Sequence, residues 1–284
     1  MTRILACIDA SSHANSVCAL TAWAAKRLDA EIEILHVIQR KDSAAARQDL
    51  SGAIGLGVKS ELLEELTRID EAAGKAAIEQ GRVLLAAAEE RLQAAGLTEV
   101  RQLHRHGGII ETIIEREADA DLVVIGKRGA SSEFASEHIG SNLERVVRSS
   151  IKPVLIASRH VTAPRSAVIA FDGSPAARKA LHYVAVSPLF DGLAVHVVVA
   201  GPDNDKHRHL LEEASERLAD RQPGAVTHLA DGPAEAVIGD YVSEVGDALL
   251  VMGAYGHSPL RALIVGSTTT AMIRTAHVPV LLLR

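Results

Sequence analysis

Gly253, Gly256, Gly266, Ser267 and Thr268 form the pattern best suited to chemistry in this 284-residue chain. Glycine lets backbone N–H groups approach an anion with no Cβ between them, and it supports tight positive-φ turns. Gly253-Ala-Tyr-Gly256 follows an apolar run that reads as a strand. Nine residues then separate it from Gly266-Ser267-Thr268, which opens a helical pattern. The unpaired N–H groups and positive dipole end of that helix would face a phosphate, with the two hydroxyls as added donors. A glycine pair at a strand end is weak alone, since ordinary turns use glycine. The third glycine, at a helix start, is what points to an anion. Arg261 lies inside this loop, where a surface charge and a phosphate contact are both open readings.

Asp172 ends an earlier apolar run and precedes Gly173-Ser174-Pro175. It reads either as helix N-cap chemistry or as an acceptor at the sheet rim for the amino group or ribose of a nucleotide. One residue could serve both.

The elements that must position these residues appear twice. Ile4-Leu-Ala-Cys-Ile-Asp9-Ala-Ser is echoed by Ala167-Val-Ile-Ala-Phe-Asp172-Gly-Ser, and Ala120–Gly126 by Asp247–Gly253. Gly140-Ser141 and Gly266-Ser267 each open a helical stretch, and Pro153 and Pro279 each follow thirteen positions after the glycine. Landmarks matched in the same order make the chain a tandem repeat, with domains at 1–160 and 165–284. Within each half, short runs apolar on both faces alternate with helical patterns, which indicates a parallel sheet covered by helices. Strands are expected near 2–8, 31–38, 99–104, 121–126 and 153–158, then near 166–172, 193–200, 225–229, 248–253 and 279–284. The fold class is α/β, with two tandem doubly wound, mainly parallel five-stranded sheets.

The halves are unequal. Asp9 and Gly126 lie 117 positions apart, Asp172 and Gly253 only 81, so the first half is longer by 36. The excess falls in residues 39–98, where Leu62, Leu66, Ile69, Ile78, Leu85 and Leu92 stand at turn or heptad spacing. It reads as an enlarged connection packed on its own domain, or as an arm that covers a pocket or engages another subunit. The first half also departs in its loop. Gly126-Lys127-Arg128-Gly129 is followed by ten residues before Gly140-Ser141, and Asn142 comes next. Lys127, Arg128 and His138 would place positive charge near a polyphosphate or form a solvated basic loop.

Both halves resemble the universal stress protein family, whose signature has the form G-x2-G-x9-G-[ST]. Gly253-x2-Gly256-x9-Gly266-Ser267 fits it as it stands. The resemblance covers nearly the whole chain and implies a Rossmann-like fold related to adenine-nucleotide α-hydrolases. It also implies ATP, with or without Mg2+, as ligand. Carried onto this chain, it assigns Asp172 to the base and Gly253 and Gly256 to ribose and phosphate. Gly266, Ser267 and Thr268 take the phosphates, and Ala170, Val199 and Met252 form the apolar walls. A first-half site would use Asp9, Gly126, Lys127, Arg128, Gly129, Gly140, Ser141 and Asn142, with its one-residue-longer spacer leaving binding there open. The resemblance further implies dimerisation through the last strand. Here 153–158 and 279–284 would pair antiparallel inside one chain as an internal pseudo-dimer, and a homodimer of whole chains is a further possibility.

Composition narrows the alternatives. Aromatics are 2% of the chain, so Ala, Val, Leu and Ile must build the core, and rings for single-stranded nucleic acid to stack on are scarce. A formal charge of -6 argues against a nucleic-acid or anionic-membrane surface. Cys7 and Cys18 read as reduced core thiols. No apolar run approaches the roughly 18 residues of a membrane span, and Asp9 comes too early for a signal-peptide core, so a cytoplasmic chain is expected. His104 with His106 and His207 with His209 lack a supporting ligand set, so no metal site is expected. No catalytic constellation stands out, so at most slow ATP hydrolysis is expected. The function read from the sequence is an ATP-binding, nucleotide-dependent regulator or sensor in stress response, with occupancy ordering residues 257–265. The rivals are an α-hydrolase-type enzyme acting on ATP and a nucleotide-free interaction scaffold.

Overall fold

The structure is a computed structural model. It describes residues 1–39, 56–129, 141–254 and 267–284, with the backbone alone at 56–63, 141 and 267. The strands are β1 (Thr2–Cys7), β2 (Ala30–Ile38), β3 (Val100–His106), β4 (Leu122–Gly126), β5 (Val154–Ala157), β6 (Ser166–Ala170), β7 (Ala194–Ala200), β8 (Val226–Ala230), β9 (Ala248–Gly253) and β10 (Val280–Leu283). Each falls within one or two residues of its expected place. The helices are α1 (Ala14–Leu28), α2 (Leu56–Ala94), α3 (Ile109–Glu117), α4 (Ser141–Ser149), α5 (Pro175–Val186), α6 (Asp205–Leu218), α7 (Ala234–Val245) and α8 (Ser267–Thr275).

The two expected five-stranded sheets are continuous. One ten-stranded sheet runs β3-β2-β1-β4-β5-β10-β9-β6-β7-β8. Neighbours are parallel within each half, and β5 meets β10 antiparallel through Val154↔Leu282, Leu155↔Leu281 and Ile156↔Val280. Strand order reverses between β1 and β4, and again between β6 and β9. Those reversals open crevices beyond the carboxyl ends of the strands, where ligands bind in open α/β sheets.

Side chains alternate across the pleat, so each strand feeds two cores. One layer gathers Ile4, Ile34, Val124, Leu155, Ile169, Val251 and Leu281 with residues of α1, α2, α5 and α6. The other gathers Leu5, Leu35, Val123, Ile156, Val168, Leu250 and Leu282 with α3, α4, α7 and α8. Both layers run through both halves.

The first-half excess is chiefly α2, 39 residues and so about 58 Å long. Its C-terminal part packs on the sheet through Leu85, Ala88 and Leu92, all buried. Before Gly81 the helix stands off: Ile69 is 55% and Ile78 44% exposed. The connection therefore both packs on its own domain and projects from it. Gly81 marks the crossing, because a Cβ there would run into the rings of His104 and His36. Among the described residues, no helix is long and apolar enough to cross a membrane.

Truncating Leu155 or Leu281, each almost wholly buried in the seam, should cost about 2–5 kcal/mol. Because one sheet spans both halves, urea denaturation of Leu281→Ala should remain a single transition at a lower midpoint. Two resolved transitions would contradict a shared core. A second outcome concerns pH. Burial holds His104 below its ordinary value of 6.5, helped by His36 and His106, and burial alone does the same for His196. The unfolded chain then takes up protons that the folded chain refuses. The stability tied to these neutral rings is whole above about pH 6.5 and is lost as pH falls through the folded values. The urea midpoint should drop between about pH 7.5 and 5.5, and by less in His104→Gln.

Candidate functional site

At the β1/β4 crevice the structure holds a cleft of about 690 Å³, including its solvent-open part. Cys7, Leu35, Val37 and Ile125 at the strand ends form an apolar floor, and Ile109 and Ile113 of α3 form a wall. Asp9, Gly126, Arg128, Gly129 and Asn142 also line it. An apolar floor with a few convergent polar groups suits a flat heterocycle carrying a charged tail.

The turn after β1 explains the aspartate. Asp9 Oδ1 accepts from the Ser11 N–H at 3.1 Å, and in the second half Asp172 Oδ1 accepts from the Ser174 N–H at 2.9 Å. Ser174, not Asp172, is the N-cap of α5: its Oγ accepts from the Ala177 N–H at 3.2 Å, with Pro175 at the first helical position. The aspartate thus shapes the turn that delivers the capping residue. Gly129 leaves Asp9 its room, since a Cβ there would lie 2.9 Å from Asp9 Oδ2.

The first glycine of each motif has a packing role. A Cβ on Gly253 would stand 2.5 Å from Ala176 C and Ala177 N, in the first turn of α5. A Cβ on Gly126 would stand 2.8 Å from His13 Cβ, at the start of α1. Both glycines let a helix start settle on the end of the neighbouring strand, β4 or β9.

The electrostatics divide the first-half site. His13 is buried at the α1 start and its Nδ1 has no hydrogen-bond partner among the described residues. Burial holds it below its ordinary value; Asp9 opposes that, while Arg128, Lys127 and Arg159 add to it. Three cations therefore act on the α1 start, and of these Arg128 lines the cleft. Lys127 itself turns away from the cleft: its Nζ donates to the Ala276 carbonyl at 2.8 Å, across the seam. Burial, and then Arg128, pull its ammonium down to about 8. The Cys7 thiol is pushed far up by burial, then by Asp9 and Glu117, so it is a neutral wall and not a nucleophile.

In the second half, Ala170 and Met252 are register partners on one face. Val199 packs in the opposite layer with Ile169 and Val251. The three expected wall residues therefore do not share a face; Val198 pairs with Ala170 and lies on its side. A strand alternates sides at every residue, so an error of one position reverses the face. Thr268 stands in the first turn of α8, which opens at Ser267, and Ser141 opens α4. Gly140, Gly256, Arg261 and Gly266 lie outside the described residues, as do His138 and residues 257–265. Among the described residues, no group of three or more His, Cys, Asp or Glu is arranged to hold a metal ion.

The model of the universal stress protein family matches residues 1–158 and again 164–284. The chain belongs to the universal stress protein family. It is 33% identical over 287 residues to universal stress protein Slr1230 of Synechocystis, covering all of both chains. The fold is shared with a universal stress protein from Archaeoglobus fulgidus at a TM-score of 0.75 and 23% identity, covering 99% of this chain and 98% of that one. A putative universal stress protein from Pseudomonas aeruginosa matches at a TM-score of 0.60 and 16% identity, covering 100% and 93%.

In this family member the crevice gathers Asp9, Gly126, Arg128, Gly129 and Asn142, and it leaves out Lys127. Sequence reasoning missed Val37, Ile109 and Ile113. Val37 was accessible, because it is two residues beyond Leu35 and so on the same face. The α3 wall was not, since helix rotation over a sheet is set by packing. Gly253→Ala and Gly126→Ala should each destabilise by about 1–3 kcal/mol through overpacking. Gly129→Ala should cost less than either, because its neighbour is a side-chain carboxylate oxygen at 2.9 Å rather than a packed helix start. Thermal denaturation of the three variants checks the ranking, and equal losses would contradict it.

Proposed function

We propose that this chain binds ATP, with or without Mg2+, and acts as a nucleotide-dependent regulator or sensor in stress response. The observation that carries the reading is the apolar-floored cleft at the β1/β4 reversal, edged by Asp9 and Arg128. The adenine ring lies over Cys7, Val37 and Ile125, with the Asp9 carboxylate at its edge. The phosphates extend toward Arg128 and the start of α4, where Asn142 and the unpaired helix N–H groups serve as donors. In the second half the same reading uses Asp172, Ala170, Met252 and Gly253, then Gly256, Arg261, Gly266, Ser267 and Thr268. Val198 takes the wall position first given to Val199.

Among the described residues of the cleft, none is placed as an activated nucleophile. The Cys7 thiol stays protonated, and Arg128 is a binding cation rather than a base. Hydrolysis is therefore at most slow, and the chain's work is binding. Regulation then follows from occupancy: ATP shifts the chain toward whichever arrangement of its loops binds it better.

Titration calorimetry with ATP tests this. Val37→Trp fills the first cleft and should weaken binding there at least tenfold, with the fold checked by circular dichroism. Gly266→Val should do the same for the second half. Wild-type affinity in both variants would overturn the site assignment, and rapid release of AMP and pyrophosphate would favour an enzyme instead.

A further inference from the structure

The helices that open with Ser141 and Ser267 are each closed at the far end by a cation from the other half. Lys127 Nζ donates to the carbonyl of Ala276, just past the last residue of α8, at 2.8 Å. Arg284, just past β10, donates through its guanidinium to the carbonyl of Arg148 in the last turn of α4. The last carbonyls of a helix lack intrahelical partners and carry the negative end of its dipole, so a cation there stabilises the helix.

The two caps are not equivalent. Lys127 lies between Gly126 and Arg128, both of which line the first cleft. Its backbone is held as well, because the Lys127 N–H donates to Ala157 O at 3.0 Å. The matching backbone contact in the second half is Ala254 N–H to Leu283 O at 2.7 Å, and alanine has no side chain to send across. Arg284 sits outside the glycine turn of its own half. Among the described residues, it is the first copy of the repeat that carries a cap on the turn that its own cleft uses. The partner atoms are 149 positions apart in sequence, so the link exists only because β5 and β10 pair.

We propose that Lys127 is a positioning residue that couples the two halves. It ties the ligand-lining turn of the first to the C-terminal end of α8, so a nucleotide that fixes residues 126–129 strengthens nucleotide binding at the start of α8. This rests on the nucleotide reading above. At neutral pH the ammonium is charged and able to cap, since it is pulled down only to about 8. By linkage, ligand in the second half strengthens binding in the first by the same factor.

Two measurements on the full chain test this. In amide hydrogen exchange without nucleotide, Lys127→Met should speed exchange of the amides of Arg274 to Ala276 about tenfold, and Lys127→Arg should restore the wild-type rate. Unchanged exchange in Lys127→Met would overturn the cap. In ATP titrations, blocking the first cleft with Val37→Trp should weaken the second site about fivefold in the wild-type background. In the Lys127→Met background it should change nothing further. An equal effect of Val37→Trp in both backgrounds would overturn the coupling while leaving the nucleotide reading intact. A wild-type chain that binds no ATP would overturn that reading and the coupling with it, and the exchange result would still decide the cap.

Discussion

The antiparallel pairing of β5 with β10 is the contact on which the rest of this molecule depends. Each is the outermost strand of its own five-stranded unit, and an unpaired strand edge offers N–H and C=O groups to any other chain. Pairing them removes two edges at once and merges two sheets into one. The eight seam residues Val154–Ala157 and Val280–Leu283 are all buried, alternating between the two helical layers. The outer edges that remain are of a different kind: β3 carries Arg101, Gln102, His104, Arg105 and His106 in seven residues, and β8 is five residues long. A contact between the halves outside the sheet accompanies it: Arg27 of α1 donates to the Asp191 carbonyl at 2.8 Å.

Within that shared frame the two copies have diverged, as equivalent positions show. Glu33 of β2 is buried and takes two hydrogen bonds from Arg116 of α3, at 3.0 and 3.1 Å. The matching place in β7 is His196, which meets the Tyr241 hydroxyl of α7 at 3.0 Å, while His228 stacks on the same ring at 4.4 Å. One copy satisfies this inward polar site with a charge pair, the other with neutral rings. A buried charge pair pays heavily for desolvation and is weak support for stability in itself. Removing one partner is the severe change, because the other is left charged and buried. The neutral version avoids that exposure to error, though its imidazole must stay deprotonated.

The same divergence touches the ligand sites. The second copy keeps the stricter glycine spacing, whereas the cleft described at the β1/β4 reversal belongs to the first copy, with its longer spacer. Spacing between glycines governs how a loop can turn. It says little about what lies beneath the loop, which here is a floor of Cys7, Leu35, Val37 and Ile125 contributed by three strands. A regular motif and a formed cavity are separate properties.

The sequence by itself determined the duplication, the ten strands, the helices between them and the order of the glycine and aspartate landmarks. These are local properties: side-chain period, β-branching and turn chemistry act over a few residues and need no knowledge of the rest. The family resemblance that the sequence carries also placed 153–158 opposite 279–284, as the seam has them. Tertiary structure alone decided which face Val199 takes, since register must be known to the residue before a pleat can be assigned. It decided that Gly253 serves a helix start packed on it, and that Lys127 serves a carbonyl in the other half. It also decided where α2 leaves the sheet, at the glycine that lies over His36 and His104. Each of these depends on how elements distant in the chain pack, and that information is carried by the assembled cores rather than by any short stretch of residues.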